Sequence, residues 1–268
     1  MTVKEFFSLR LSPFGKNIGQ AQLFQYDQLE HLSTLIQATL EDGSMCLITG
    51  RAGTGKTTGV RAYLEALPSA RYRIIYVGQE QRRSGVISRI LHELGSRTNV
   101  SWANRTLKLS ERLQDTIRSG RQLILVIDEA HLLEQQTLED IRLLTNLDMD
   151  RSTNLSVFLL GQHWLRAILK KTPNEALYQR LRLRLALEGL SELQTAQYIH
   201  HHLALAGCSD PESIFTDDAI TEIFASSEGI LREINNICFE AMLRAASLQT
   251  RSIGKSLIEH VLNQRELN

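Results

Sequence analysis

Short apolar runs alternate with amphipathic segments along the chain up to about residue 188. Four of these runs have the length of buried strands, and they lie at 45–49, 73–77, 123–127 and 156–160. The amphipathic segments predict helices at 27–40, 58–67, 84–95, 106–119 and 135–147. Strands that alternate with helices of this length predict a parallel, doubly wound α/β sheet with helices on both faces.

The pattern changes near residue 189, where the strand-like runs end. Four amphipathic segments follow, and they predict helices at 191–206, 216–226, 230–248 and 254–265. Ser191 and Thr216 stand where N-cap residues are expected. We therefore expect an α/β domain over 1–188, which begins with an aromatic-rich lead over residues 1–24, and a separate all-helical lid over 189–268.

A glycine-rich stretch directly after the first apolar run matches the phosphate-loop pattern G-x-x-x-x-G-K-[ST]. Glycines let successive backbone N–H groups point at phosphate oxygens, and the helix that follows adds its positive N-terminal end. Lys56 is expected to reach the β- and γ-phosphates of ATP, and Thr57 to hold Mg²⁺ through its hydroxyl. The residues expected to bind the nucleotide are Gly50, Arg51, Ala52, Gly53, Thr54, Gly55, Lys56, Thr57 and Thr58.

Two acidic residues follow the third apolar run. A buried strand over 123–127 would deliver Asp128 and Glu129 to the carboxyl edge of the sheet, where open α/β sheets bind ligands. Asp128 would then join Thr57 in holding Mg²⁺, and Glu129 would orient and deprotonate the attacking water. Acidic residues after a strand also cap helices, but the combination with a phosphate loop favours ATP hydrolysis.

Composition restricts the other possibilities. The 268 residues include 30 basic and 30 acidic side chains, so any nucleic-acid contact must be local. Cys46, Cys208 and Cys238 lack metal-ligand spacing and are interpreted as core residues of a reducing compartment. The sequence has no signal-peptide pattern and no apolar run long enough for a membrane span, which predicts a soluble, cytoplasmic protein.

Several segments together resemble the AAA+ ATPases, a branch of the ASCE P-loop proteins with a parallel-sheet α/β/α domain and a small helical lid. Within them the chain looks like the ExeA-type ATPases, a family that includes secretion-pathway ATPases and regulators of DDE transposases similar to TniB, TnsC and MuB. The segments that carry this resemblance are FFSLRLSPF near the N-terminus, IRLLTNLDMD (141–150), FLLGQ (158–162) and GILREINNIC (229–238).

The resemblance implies roles for three further residues. Gln162 matches the first sensor, a polar side chain between the attacking water and the γ-phosphate. Arg180, or Arg182 as the next choice, matches an arginine finger that acts on the nucleotide of a neighbouring subunit, although the alternation of Arg and Leu also fits a half-exposed strand. Arg232 matches the lid sensor that touches the γ-phosphate, and the aromatic lead is the expected wall for adenine.

A local basic stretch is the candidate DNA contact. Residues 71–97 carry six arginines against two glutamates. In DNA-bound members of the family the comparable loops follow the phosphate backbone, and here they contain Arg82, Arg83, Arg97 and Thr98. The arginines would otherwise serve to solubilise the surface.

The resemblance leads to one expected function and two alternatives. We expect a homo-oligomer, as a ring or a helical filament, that forms with ATP and Mg²⁺ on double-stranded DNA and recruits or activates a cognate transposase. The alternatives are an ATPase of a secretion or envelope assembly system and a nucleotide-dependent protein scaffold. Secretion members continue into a membrane span and a wall-binding module, so the end at Asn268 favours the transposition regulator, although a truncated secretion ATPase would look identical.

Overall fold

The protein divides into two compact units. The computed structural model describes residues 2–15, 19–78, 85–96, 102–144 and 154–266. The sheet unit comprises Asp27–Gly50 and Lys56–Leu187. The lid unit comprises Met1–Tyr26, Arg51–Gly55 and Glu188–Asn268.

Five parallel strands form the centre of the sheet unit, in the order β2-β3-β4-β1-β5. The strands are β1 (Met45–Gly50), β2 (Tyr72–Val77), β3 (Gln122–Ile127), β4 (Leu155–Gly161) and β5 (Leu181–Leu187). The predicted parallel α/β sheet is confirmed, and the four apolar runs are the four strands expected. β5 is one of the two edge strands; its exposed Arg182 and Arg184 alternate with buried or half-buried leucines, as an edge position permits.

Twelve α-helices are described. In chain order they are α1 (Val3–Phe6), α2 (Asp27–Asp42), α3 (Lys56–Glu65), α4 (Gly85–Glu93), α5 (Trp102–Arg118), α6 (Gln135–Leu144), α7 (Trp164–Leu169), α8 (Glu175–Arg180), α9 (Glu192–Leu205), α10 (Asp217–Ser227), α11 (Leu231–Ser247) and α12 (Lys255–Glu266). Helices α2 to α8 belong to the sheet unit, and α1 and α9 to α12 belong to the lid unit.

The core of the sheet unit lies on its central strands. Every residue of β1 is buried, and in β3 and β4 only the first residue is partly exposed. Leu47 is 1% exposed, and Ile124 and Leu159 are 0% exposed. Burial on both faces explains why these strands read as continuous apolar runs instead of alternating patterns. Cys46 belongs to this core, and the buried thiol has its pKa raised to about 12, so it behaves as an apolar side chain.

The lid unit packs its helices around an apolar centre that includes Cys238. Ser191 caps α9 as predicted, because its hydroxyl accepts from the Gln194 N–H at 3.2 Å and the Gln194 side chain returns a bond to the Ser191 N–H. Thr216 is the N-cap residue of α10, but its hydroxyl contacts the Asp218 carboxylate and, at 3.2 Å, the Ile253 carbonyl instead of capping the helix.

The aromatic lead packs within the lid unit. Phe14 stacks on His202 of α9 with ring centroids 5.5 Å apart, and Phe24 meets Tyr198 edge to face at 5.7 Å. Phe6 is buried against the neighbouring Phe7. These rings already stabilise the lid unit by burying large apolar surfaces. The assignment of one of them to adenine stays a prediction.

No helix within the described ranges combines the length and the apolar character needed to cross a bilayer.

Candidate nucleotide site

Three strands of the sheet unit end at the same edge, and each delivers a predicted site residue. Thr49 of β1 pairs with Gly161 of β4, and Ile127 of β3 pairs with Leu159 of β4. Because the strands are parallel, their carboxyl ends lie together. The edge therefore carries the start of the phosphate loop, the acidic pair and Gln162.

The phosphate loop has the backbone shape that its glycines permit. Gly53 and Gly55 have φ of +88° and +87°, a left-handed region that a residue with a Cβ enters only with strain. The buried Thr54 hydroxyl donates to the Arg51 carbonyl at 2.9 Å and so closes the turn. Lys56 begins α3, lies only 6% exposed, and donates from Nζ to the Gly50 carbonyl at 2.8 Å. The ammonium group is therefore held against the loop itself.

Within the lid unit, the start of α11 contacts the first half of the loop. The Arg232 N–H donates to the Gly53 carbonyl at 3.2 Å. Arg51 forms an ion pair with Glu228, and both side chains are exposed. The structure thus brings the predicted lid sensor to the loop, with the Arg232 side chain exposed. Its contact with a γ-phosphate stays a prediction.

Asp128 links Thr57 of the phosphate loop to Glu129, the predicted general base. Its Oδ2 accepts from the Thr57 hydroxyl at 2.7 Å, and its Oδ1 accepts from the Glu129 N–H at 2.8 Å. A hydroxyl oxygen and a carboxylate oxygen that lie this close together suit Mg²⁺ in phosphate-loop proteins. Thr57 and Asp128 therefore fit the ion that the sequence assigns to them.

Glu129 has an unusual backbone. Its φ of 54° and ψ of 36° place it in the left-handed region, which is uncommon for a residue other than glycine, asparagine or aspartate. Such a conformation persists where surrounding contacts hold it, and it is common in functional sites. The bond from Asp128 Oδ1 to the Glu129 N–H is one contact that supports it.

Gln162 follows β4 and is half-buried. Its N–H donates to Nδ1 of His131 at 3.3 Å, and its carbonyl accepts from the Leu165 N–H at 2.9 Å. The sequence prediction for Gln162 concerned its side chain, and the structure adds a backbone contact. His131 was absent from the predicted site, although it stands two residues after Glu129.

Arg180 is the last residue of α8, directly before β5. Its guanidinium donates to the Arg142 carbonyl of α6 at 3.2 Å and is half-buried. Arg182, the second choice for the finger, is paired with Asp42 at 2.8 Å. Arg184 lies over the Tyr178 ring at 4.0 Å. The assignment of a finger to Arg180 therefore stays a prediction, with a local partner already known for each arginine.

The four predicted DNA contacts, Arg82, Arg83, Arg97 and Thr98, lie outside the described residues. Three arginines of the same basic stretch are described. Arg71 lies over the Tyr72 ring at 5.3 Å, and the other two contact Glu93. Arg73 donates to its carbonyl, and Arg89 pairs with its carboxylate.

The fold and the loop together define a class. A family model described as an AAA domain matches residues 38–169, which contain the phosphate loop, the acidic pair and Gln162. The chain has an α/β AAA+ fold, and these features support an AAA+ ATPase.

A curated relative adds detail. The chain is 31% identical over 247 residues to General secretion pathway protein A of Aeromonas hydrophila, a match that covers 90% of this chain. The chain spans 44% of that relative's length. This relative supports the resemblance to secretion-pathway ATPases, whereas the resemblance to transposition regulators stays a prediction.

Solved structures agree on the fold. The ORC2 protein of Aeropyrum pernix matches with a TM-score of 0.71 and 15% identity, over 93% of this chain and 70% of that chain. The ORC1 protein of the same organism, solved in complex with DNA, matches with a TM-score of 0.64 and 19% identity, over 94% of this chain and 67% of that chain. RuvB of Thermotoga maritima matches with a TM-score of 0.55 and 18% identity, over 96% of this chain and 72% of that chain.

Proposed function

We propose that this chain binds and hydrolyses ATP with Mg²⁺ as the ATPase module of an ExeA-type secretion or envelope assembly system, and that it works as a homo-oligomer. The observation that carries the hydrolytic part is the position of Asp128. One of its oxygens meets Thr57 of the phosphate loop, and the other holds the backbone of Glu129. Asp128 thereby joins the residue that would hold the metal to Glu129, a second carboxylate of the kind that serves as a general base for the attacking water.

Binding would use the loop residues Gly50 to Thr58. The backbone N–H groups between Gly53 and Thr57 would surround the phosphates, aided by the N-terminal end of α3. Lys56 would exchange its bond to the Gly50 carbonyl for the β- and γ-phosphate oxygens. Thr57 and Asp128 would hold Mg²⁺, which neutralises developing phosphate charge when it is bound.

Hydrolysis would use Glu129 as the general base. A water oxygen attacks the γ-phosphorus, the bond from that phosphorus to the ADP oxygen breaks, and the water proton moves to the Glu129 carboxylate. Gln162 would orient the same water from the end of β4. Arg232 would contact the γ-phosphate from the start of α11, so that ATP favours its contact with the loop.

Assembly would supply the missing positive charge. Arg180 would leave the Arg142 carbonyl and reach the nucleotide of a neighbouring subunit, where a guanidinium stabilises charge on the transferring phosphoryl group. Hydrolysis would then depend on contact between subunits. The rate per subunit should therefore rise with protein concentration.

A chimera tests the cellular role. The segment of the Aeromonas hydrophila relative that matches this chain would be replaced by this chain, and secretion would be measured in cells lacking the original gene. We expect secretion to be restored, and the same chimera with Lys56→Ala to fail at equal abundance. A stable chimera that hydrolyses ATP but leaves secretion absent would contradict the secretion assignment.

The local arginine excess at 71–97 favours a second candidate, the DNA-bound regulator of a transposase. Its test is sedimentation with Mg²⁺ and a non-hydrolysable ATP analogue, with and without a random-sequence duplex, at two salt concentrations. Assembly that needs the duplex and weakens steeply with salt would support this candidate. Arg82→Ala with Arg83→Ala should then flatten the salt dependence, whereas assembly that ignores the duplex would exclude it.

A further inference from the structure

His131 lies between the predicted general base and the end of β4. Its Nε2 is 3.4 Å from Oε2 of Glu129, and its Nδ1 accepts from the Gln162 N–H at 3.3 Å. One imidazole ring therefore joins two segments that follow different strands of the sheet. Its side chain is 2% exposed and that of Glu129 is 32% exposed, so the ring is buried while the carboxylate stays open to water.

The hydrogen bond to Gln162 selects the tautomer of the ring. A backbone N–H can only donate, so Nδ1 of His131 must be the unprotonated nitrogen that accepts. In the neutral ring the proton is then on Nε2, the atom that faces Glu129. The geometry thus directs an N–H donor at the carboxylate of the predicted base.

Neighbouring residues hold the ring in this orientation. Trp164 contacts it edge to face, with centroids 4.9 Å apart and planes at 87°. Gly161 leaves room for it, because a Cβ at this position would lie 3.3 Å from His131 Nδ1 and 2.7 Å from Leu165 Cδ2. The second distance is one that real Cβ atoms do not show, so a larger residue would displace its neighbours.

We propose that His131 is a positioning residue for ATP hydrolysis: through Nε2–H it fixes the Glu129 carboxylate toward the attacking water, and through Nδ1 it ties that carboxylate to the backbone of Gln162. This inference rests on the proposed hydrolytic function. The physical need is clear, because Glu129 lies on a left-handed backbone turn and a mobile carboxylate spends less time in the productive orientation.

Two substitutions separate the roles of the two ring nitrogens. His131→Gln can place an amide N–H near the position of Nε2 and keep the bond to Glu129. In His131→Asn the side-chain amide extends only as far as the position of Nδ1. Its oxygen can therefore keep the bond from the Gln162 N–H, but the amide cannot reach Glu129. A structural role would be served equally well, or better, by the Asn variant.

The expected result is a loss in kcat without a loss in ATP binding. His131→Asn should lower kcat at least about tenfold and leave KM and the affinity for a non-hydrolysable ATP analogue within about twofold. His131→Gln should recover most of that loss and stay within about threefold of the wild-type kcat. Equal loss in both variants, or a recovery by Asn instead of Gln, would overturn the proposal.

Trp164 supplies an independent check of the fold around the ring. In a Trp102→Phe background Trp164 is the one remaining tryptophan, and its emission reports on the contact with residue 131. Both variants should keep a cooperative melt near that of the Trp102→Phe parent. If the Asn variant melts early, His131→Phe is added: it keeps the packing against Trp164 without a donor, and a wild-type kcat in that variant would overturn the proposal.

The same measurements distinguish the two possible failures. If the wild type releases no phosphate while Lys56→Ala abolishes analogue binding, the hydrolytic function itself is wrong. If the wild type hydrolyses ATP and Glu129→Gln does not, but His131→Asn retains the wild-type kcat, only the role of His131 is wrong.

Discussion

Gly53→Ala is the substitution whose cost the structure defines most fully. The position has φ of +88°, and an alanine there would lose about 1–2 kcal/mol from its left-handed backbone. The new Cβ would also lie 2.8 Å from Arg232 Cβ and 2.9 Å from Ile230 Cγ2. Overpacking of this kind costs about 1–3 kcal/mol more. The total is about 2–5 kcal/mol, concentrated on the turn that binds phosphate.

Gly120→Ala is the matched control. Gly120 also has a positive φ, +74°, but a Cβ there meets nothing within 4 Å. Its alanine variant should therefore lose only the backbone part, about 1–2 kcal/mol by urea unfolding, and should bind ATP as the wild type does.

The assay is equilibrium binding of a fluorescent ATP analogue to both variants. Gly53→Ala should weaken binding at least about tenfold. The new Cβ can avoid Arg232 and Ile230 only if either the loop or the start of α11 moves. An affinity within twofold of the wild type would refute the reasoning, since the loop could then accept a Cβ without changing the site.

Three other predictions concern single side chains. Lys56→Ala should lower ATP affinity at least about a hundredfold by analogue titration, and unchanged affinity would remove the phosphate-loop assignment. Arg180→Ala should keep ATP affinity but lose hydrolysis, which returns on mixing with Lys56→Ala protein. Arg182→Ala tests the second choice for the finger in the same way, and loss without recovery in Arg180→Ala would assign Arg180 to its bond with α6. Burial, and to a smaller extent the neighbouring His201, lowers the pKa of His202 to about 4 in the folded protein. As pH falls, the unfolded chain therefore binds this proton at a higher pH than the folded protein does. Stability should therefore decrease from pH 6.5 to pH 4 by about 3 kcal/mol more in the wild type than in His202→Phe, as measured by urea unfolding at each pH; equal slopes would contradict this.

The fold was predictable because its signals are local. Buried parallel strands produce short apolar runs, and β1, β3 and β4 have almost no exposed positions. Phosphate-loop chemistry is also local, since its glycines, lysine and threonine are consecutive. Ser191 illustrates the same point at a helix start, because its capping partner Gln194 is three residues away.

What the sequence left open depends on contacts between distant residues. The arginines and leucines of β5, one of the two edge strands, alternate in a pattern that left open both a half-exposed strand and an element that carries an arginine finger. The packing of Phe14 and Phe24 on α9, a partner far along the chain, could not be read from the sequence, and the contact of the aromatic lead with adenine stays a prediction. Thr216 stands at the expected N-cap, yet its N–H donates to the carbonyl of the distant Ile253 at 3.1 Å, and its hydroxyl contacts that carbonyl and the Asp218 carboxylate.

His131 shows how a functional candidate escapes a motif. The sequence after β3 reads IDEAH, and the acidic pair alone completes the known chemistry of the loop. A single histidine two residues later has no spacing that suggests a role. Its position becomes informative only when β3 and β4 lie side by side and bring Gln162 to its Nδ1.

The most direct test of the account is phosphate release from ATP with Mg²⁺, measured over a range of protein concentrations for the wild type and for Glu129→Gln. We predict turnover by the wild type with a rate per subunit that rises with concentration. Glu129→Gln should bind ATP with wild-type affinity and release phosphate at least about a hundredfold more slowly. Equal rates for the two proteins, or no release by the wild type at any concentration, would contradict the account.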